Sequence, residues 1–316
     1  MRYINSVIDL QKKMGHRVIF VTDAKPTQTI NADNILYHND VSTYVPNMRD
    51  GHVWLQIDAT ISDGVKYALQ KLSVEPDLVI AHDLHSYLGA IKEFNNGVFV
   101  QHESDVMMQD QRCSFLDDDY LQTQIDVVNT TNWRVGMSVM SRDVSPRRPV
   151  YTPVPFSPVA SVPGGRTRGL LYIGDSTDRK GAREFMAMAQ SLKATPTVIT
   201  HDPDADLFKG ADVYSFGLDQ QAAMYHLMDE CNVAYISSKN ECWSVAVLEC
   251  LQFMPVVVNN SYRWTSYLQD IGVHAVDSEN IQMVLEHFLL AQSNENRLLL
   301  DIWSRNSQQF WRNLST

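Results

Sequence analysis

The feature that most constrains this chain is a rhythm: short β-branched runs return at intervals long enough to hold a helix. "RVIFVT" (17–22), "DLVIAH" (77–82) and "GVFVQH" (97–102) lie in the first half. "GLLYIG" (169–174), "TVIT" (197–200), "NVAYIS" (232–237) and "PVVVNN" (255–260) lie in the second. Near-continuous apolar runs of this length suit strands buried on both faces. Strands alternating with helices imply parallel sheets covered by helices on both sides, so the fold class is α/β. Between the two sets comes "SPRRPVYTPVPFSPVASVPGG" (145–165), dense in proline and closing on two glycines. Proline removes backbone donors and glycine interrupts regular structure, which marks a domain boundary. A chain of 316 residues exceeds one compact core and accommodates two domains of about 150 residues each.

We therefore expect a Rossmann-like domain over 1–155 and a second over 156–316. The first opens on a helical pattern, "RYINSVIDLQKKMGH", where a doubly wound domain normally opens on a strand and a glycine-rich turn. The N-terminal strand is missing from the pattern. At the far end "ENRLLLDIWSRNSQQFWRNL" reads as a terminal helix with Leu299, Trp303, Phe310 and Trp311 as apolar anchors. These anchors suit packing, with the helix returning to the first domain.

Charge and cysteine usage narrow the function classes. A formal net charge of -11 argues against a nonspecific nucleic-acid binder, which presents a basic surface. It leaves room for a local basic groove. The four cysteines, Cys113, Cys231, Cys242 and Cys250, form no C-x-x-C pair and read as reduced intracellular thiols rather than a zinc site. The first twenty residues hold no apolar signal core, and no run of 18 or more apolar residues occurs. No membrane span is expected, and the expected location is cytoplasmic.

Two segments carry the chemistry. In "GLLYIGDSTDRKGAREFMAMAQSL" (169–192) a strand runs through Gly174 into a polar loop with Arg179 and Lys180, then a helix. Loops at the carboxyl ends of parallel strands are where open α/β sheets bind ligands. The two cations could neutralise a diphosphate; a solvated basic turn is the alternative. In "NECWSVAVLECLQFMPVVVNN" (240–260) Glu241 and Glu249 stand eight positions apart, the second inside an apolar run. Ser244 suits the N-cap of a helix, and the amides from Trp243 through Ser244 to Val245 would form an anion site. A buried carboxylate needs a partner. For Glu249 that partner is either a basic residue of the fold or a sugar diol, which a carboxylate holds with two acceptor oxygens.

The pair Glu241…Glu249 followed by "PVVV" resembles the retaining family-4 glycosyltransferases of the GT-B architecture. "LLYIGDSTDRKG" stands where that family keeps its donor phosphate loop. "MGHRVIFVT" resembles its first helix and second strand, and "VFVQHES" its strand ending in a histidine. The resemblance spans nearly the whole chain. It implies two Rossmann-like domains with parallel sheets facing an interdomain cleft, the first for the acceptor and the second for the donor. The implied activity is retaining, metal-independent hexosyl or pentosyl transfer from a nucleotide sugar such as a UDP-sugar, with no cofactor. Residue by residue, Lys180 matches the phosphate-binding lysine and Glu249 the glutamate on the donor ribose. Glu241 matches the acid beside the donor sugar, and His102 the histidine facing the reacting sugar. Gly174, Arg179, Trp243, Ser244 and Val245 complete the donor set. His82 and His85 at the neighbouring strand end are weaker candidates.

The sequence also departs from the family. Asp175 stands where an arginine usually follows the loop glycine, with Arg179 as a replacement charge. Cys242 and Trp243 replace small glycines, and the glycine before Pro255 is absent. These departures leave open a non-catalytic nucleotide-sugar-binding protein. The acceptor is less legible. "RYINSVIDLQKKMGHRVIFVTDAK", "VQHES" and "YIGDSTDRKG" are similar to the DNA α-glucosyltransferases of T-even bacteriophages, which modify 5-hydroxymethylcytosine. That similarity implies double-stranded DNA as partner, with Arg142, Arg147, Arg148, Arg166 and Arg168 as candidate phosphate contacts, in the host cytoplasm. A flipped base and a basic groove would be required. A glycan, a lipid-linked sugar or a small molecule remains the alternative acceptor.

Overall fold

The structure is a computed structural model. It describes residues 2–22, 29–37, 70–71, 73, 75–101, 126–127, 129–137, 166–239, 241, 244–262, 265, 268, 272–290 and 297–315. The chain divides into two compact units, residues 1–155 with 306–316, and residues 156–305.

In the first unit the described elements are α1 (Arg2–Lys13), β1 (Ile19–Thr22), β2 (Asn34–Tyr37), β3 (Ile80–His82), α2 (Asp83–Ala90), β4 (Val98–Gln101) and β5 (Arg134–Met137). β1 pairs with β2, and β3, β4 and β5 form a second sheet in that order, all parallel. In a doubly wound sheet the opening strand lies between two such groups, two strands to one side and three to the other. The first described element here is a helix, and among the described residues β1 and β3 are not paired.

β4 shows why its run is apolar throughout. Alternate side chains point to opposite faces of a strand. Phe99 enters a core with Ala81, Tyr87, Ala90, Trp133 and Val135. Val98 and Val100 enter another with Val7 and Leu10 of α1 and with Trp311. Trp311 belongs to α7 (Arg297–Ser315), the terminal helix of the chain, and is fully buried. Polar bonds hold α1 to the segment before β2: Asn5 donates to Thr29 O at 2.8 Å, and Lys12 pairs with Asp33 at 3.1 Å.

The second unit holds β6 (Arg168–Ile173), α3 (Ala182–Ser191), β7 (Thr197–Ile199), β8 (Asp212–Tyr214), α4 (Gln221–Asp229) and β9 (Cys231–Ile236). α5 (Val245–Leu251), β10 (Val256–Asn259), β11 (Val273–Val276) and α6 (Ile281–Leu290) follow. Its sheet is six-stranded and parallel, in the order β11-β10-β9-β6-β7-β8. The α/β class with parallel sheets holds. A core of Leu170, Tyr172, Phe185, Val198, Val233 and Tyr235 packs α3 and its neighbours onto the sheet. Among the described residues no helix is long and apolar enough to cross a membrane. Cys231 and Cys250 are free and buried. Burial pushes the Cys231 thiol up to about 12, and the Cys250 thiol well above its ordinary range.

Candidate active site

The site is built at the carboxyl ends of β6 and β9, neighbours in the second sheet. β6 ends at Ile173, and Gly174 donates its amide to Ile199 O at 3.1 Å, keeping the chain beside β7. The polar loop then folds on itself. Asp175 Oδ1 accepts the Thr177 amide at 2.9 Å and the Thr177 hydroxyl. Burial opposes its ionisation, but the Thr177 bonds, with Arg179 and Lys180 nearby, hold the carboxyl below its ordinary value. Asp202 braces the next residue, accepting Ser176 N at 3.2 Å and Ser176 Oγ at 3.1 Å. From beneath, the buried Tyr172 hydroxyl donates to Asp175 O at 2.6 Å.

A short 3-10 turn, Asp178–Lys180, leads to Gly181 in the left-handed region at φ 68°. A Cβ at Gly181 would overlap the Ser237 carbonyl. Glycine is thus required twice here, for its dihedral and for close approach. The approach brings the turn onto the end of β9. Ser237 Oγ donates to Gly181 O at 2.9 Å and to Lys180 O at 3.2 Å. Lys239 N donates to Arg179 O at 2.9 Å, and the Lys239 ammonium pairs with Asp178 at 2.8 Å. Lys180 itself is ion-paired with Glu241, a buried carboxylate.

Beyond Glu241 the chain enters α5. Ser244 has the extended backbone of an N-cap, φ -91° and ψ 94°, but its side chain makes no capping bond. The sequence signal for the helix start is right in place and differs in mechanism. Glu249 is the fifth residue of α5 and is buried. Its Oε1 accepts the Tyr225 hydroxyl from α4 at 3.4 Å, a long and weak bond. A tyrosine, 24 positions away, is therefore a protein partner that the sequence reading did not supply.

The structure thus brings Lys180 and Glu241 into contact and sets Gly174 and Arg179 on the same loop. Ser244, Val245 and Glu249 follow on α5. Lys239 was missed, although its charge in the loop before Glu241 was a visible signal. Tyr225 had none. Two other candidates, Arg166 and Arg168, make bonds within the second unit. Arg166 donates to Phe253 O at 2.8 Å, and Arg168 pairs with Glu230 and Asp212, each at 2.9 Å. Arg168 begins β6, at the end of the strand opposite to the loop. Its charge is used to tie strand starts together. His102, Arg142, Arg147, Arg148, Cys242 and Trp243 lie outside the described residues.

No protein-family model matches the chain, and no curated protein matches it in sequence. Solved structures do match over almost its full length. A sucrose-phosphate synthase from Thermosynechococcus elongatus aligns with TM-score 0.64 and 15% identity, covering 99% of this chain and 88% of that one. An E. coli structure described as trehalose-6-phosphate bound with UDP-2-fluoro glucose aligns with TM-score 0.64 and 11% identity, covering 98% and 93%. An α,α-trehalose-phosphate synthase (UDP-forming) from Burkholderia vietnamiensis aligns with TM-score 0.61 and 12% identity, covering 98% and 90%. The chain has the fold of these glycosyltransferases.

Proposed function

We propose that the protein transfers a sugar from a nucleotide-sugar donor to an acceptor hydroxyl, with retention at the anomeric carbon and without a metal ion. One observation carries this reading. A lysine on the turn after β6 is held against a buried glutamate in the segment between β9 and α5, at the strand ends where open parallel sheets take ligands. The likeness to solved glycosyltransferases supports it, as does the order in which Lys180, Glu241 and Glu249 occur.

The roles follow from charge. Lys180, with Arg179, takes the diphosphate. Glu241 faces the transferred sugar, and Glu249 accepts the ribose hydroxyls, with the Tyr225 hydroxyl beside its carboxylate. Gly174 and the helix start at Ser244 and Val245 line the phosphate side, and Trp243 joins them on the sequence resemblance alone. In the reaction the bond from the anomeric carbon to the diphosphate breaks, its electron pair leaving with the diphosphate. The acceptor oxygen bonds the same carbon. Retention keeps acceptor and leaving group on one face, so the hydroxyl proton passes to the departing diphosphate. Cations aimed at that developing charge supply electrostatic stabilisation. One neighbour is UDP-forming and another holds UDP-2-fluoro glucose, which makes UDP-glucose the first donor to test.

On the acceptor side the reading rests on sequence resemblance: 5-hydroxymethylcytosine in duplex DNA, His102 at the reacting sugar, and Arg142, Arg147 and Arg148 on phosphates. The test is a transfer assay with labelled nucleotide sugars and hydroxymethylated duplex DNA. Label in the DNA supports the whole reading. Label only in a glycan, lipid or small-molecule acceptor keeps the transferase and replaces the acceptor. Thermal stabilisation by donors with neither transfer nor hydrolysis leaves a nucleotide-sugar-binding protein instead.

A further inference from the structure

Lys180 and Glu241 are each assigned to a different part of the donor, yet they are bonded to each other. The side chains are 22% and 9% exposed, so neither partner is well solvated. Removing one member of such a pair leaves the other charge poorly compensated. The backbone around them is fastened separately. Ser237 Oγ holds the carbonyls of Lys180 and Gly181, and Lys239 ties both Arg179 O and Asp178. Lys180 can therefore change partner by a side-chain movement while the two loops stay joined. The other carboxylates of the first loop are already engaged: Asp175 by Thr177 and Asp178 by Lys239. Glu241 is the anion that a diphosphate must displace.

We infer that Glu241 discriminates the intact donor from the spent nucleoside diphosphate by competing for Lys180. The inference rests on the donor-site reading above. A diphosphate that captures the ammonium strips Glu241 of its cation. An intact donor repairs the loss, because its sugar hydroxyls donate to the released carboxylate. A nucleoside diphosphate brings no such hydroxyls and leaves a buried carboxylate poorly paired. After transfer the sugar departs, Glu241 takes Lys180 back, and the diphosphate is expelled. The carboxylate thus serves as a sensor of whether a sugar is attached.

Calorimetric titration of UDP and of UDP-glucose into the protein and its Glu241→Gln and Glu241→Ala variants tests this. Removing the competing charge is expected to tighten UDP roughly tenfold, while UDP-glucose binds about as before. The preference for UDP-glucose over UDP then falls by about an order of magnitude in both variants. A glutamate that only supported the loop would lose affinity for both ligands together, and that result overturns the inference. An unchanged ratio also overturns it, provided that Lys180→Ala still weakens binding. Binding that is absent, or indifferent to Lys180→Ala, overturns the donor-site reading and the inference with it.

Discussion

At the scale of single residues, two positions fix the loop after β6 by opposite means. Gly181 does so by having no side chain, since its φ of 68° and its contact with Ser237 both exclude a Cβ. Gly181→Ala should cost about 2–4 kcal/mol, combining left-handed strain with the steric conflict. Urea denaturation checks the loss of stability, and titration should show donor affinity falling with it. Asp175 works through its charge, accepting the Thr177 amide and hydroxyl. Its folded-state value lies below the ordinary aspartate value. Its contribution to stability is therefore complete above the ordinary aspartate range and is lost as pH falls through the lowered value. Between about pH 5 and about pH 2 the native protein should lose more stability than Asp175→Asn. Urea midpoints across that range compare the two. Equal losses would mean the carboxylate contributes nothing to the fold.

At the scale of elements, α3 is anchored at its first turn by Glu184, which accepts the hydroxyls of Tyr235 on β9 and Tyr262 beyond β10. Burial first, then the Glu184 carboxylate, pushes both phenols upward, so each stays a donor. Glu184→Leu would orphan both hydroxyls and should cost about 1–3 kcal/mol per buried group. Glu184→Gln keeps an acceptor oxygen and should cost less, a ranking that denaturation curves can confirm or reject. No sequence pattern pointed to this cluster, because its members lie 51 and 78 positions apart. Strands show a similar division. All seven apolar runs became strands, whereas β2, β5, β8 and β11 were not read from the sequence. Among the described residues each of those four lies at an edge of its sheet, as do β1 and β3, whose runs are more apolar. An edge strand has one neighbour, can stay short and polar, and carries less of the buried signature. β8, "DVY", is three residues long and begins on an exposed aspartate. In the candidate site, Lys180, Glu241 and Glu249 drew attention because charge stood out against apolar strands and helices. Their partners Tyr225 and Ser237 did not, since a tyrosine in a helix and a serine after a strand are ordinary.

At the scale of the whole molecule, the chain leaves its first unit for 156–305 and returns to it through the last residues of α7. Trp311 fills the core between α1 and β4. Trp311→Ala should cost about 3–5 kcal/mol, borne by the first unit. Hydrogen exchange would show it as lost protection in β4 with β6 and β9 unchanged; equal loss in both units would contradict the division. The central claim concerns the second unit, where a buried glutamate and a lysine meet at the ends of parallel strands. Its most direct test is titration of UDP-glucose into the native protein, Lys180→Ala and Glu249→Ala. The account predicts saturable one-to-one binding, weakened at least about tenfold in each variant. Equal affinity in all three proteins, or no binding to the native one, would contradict it.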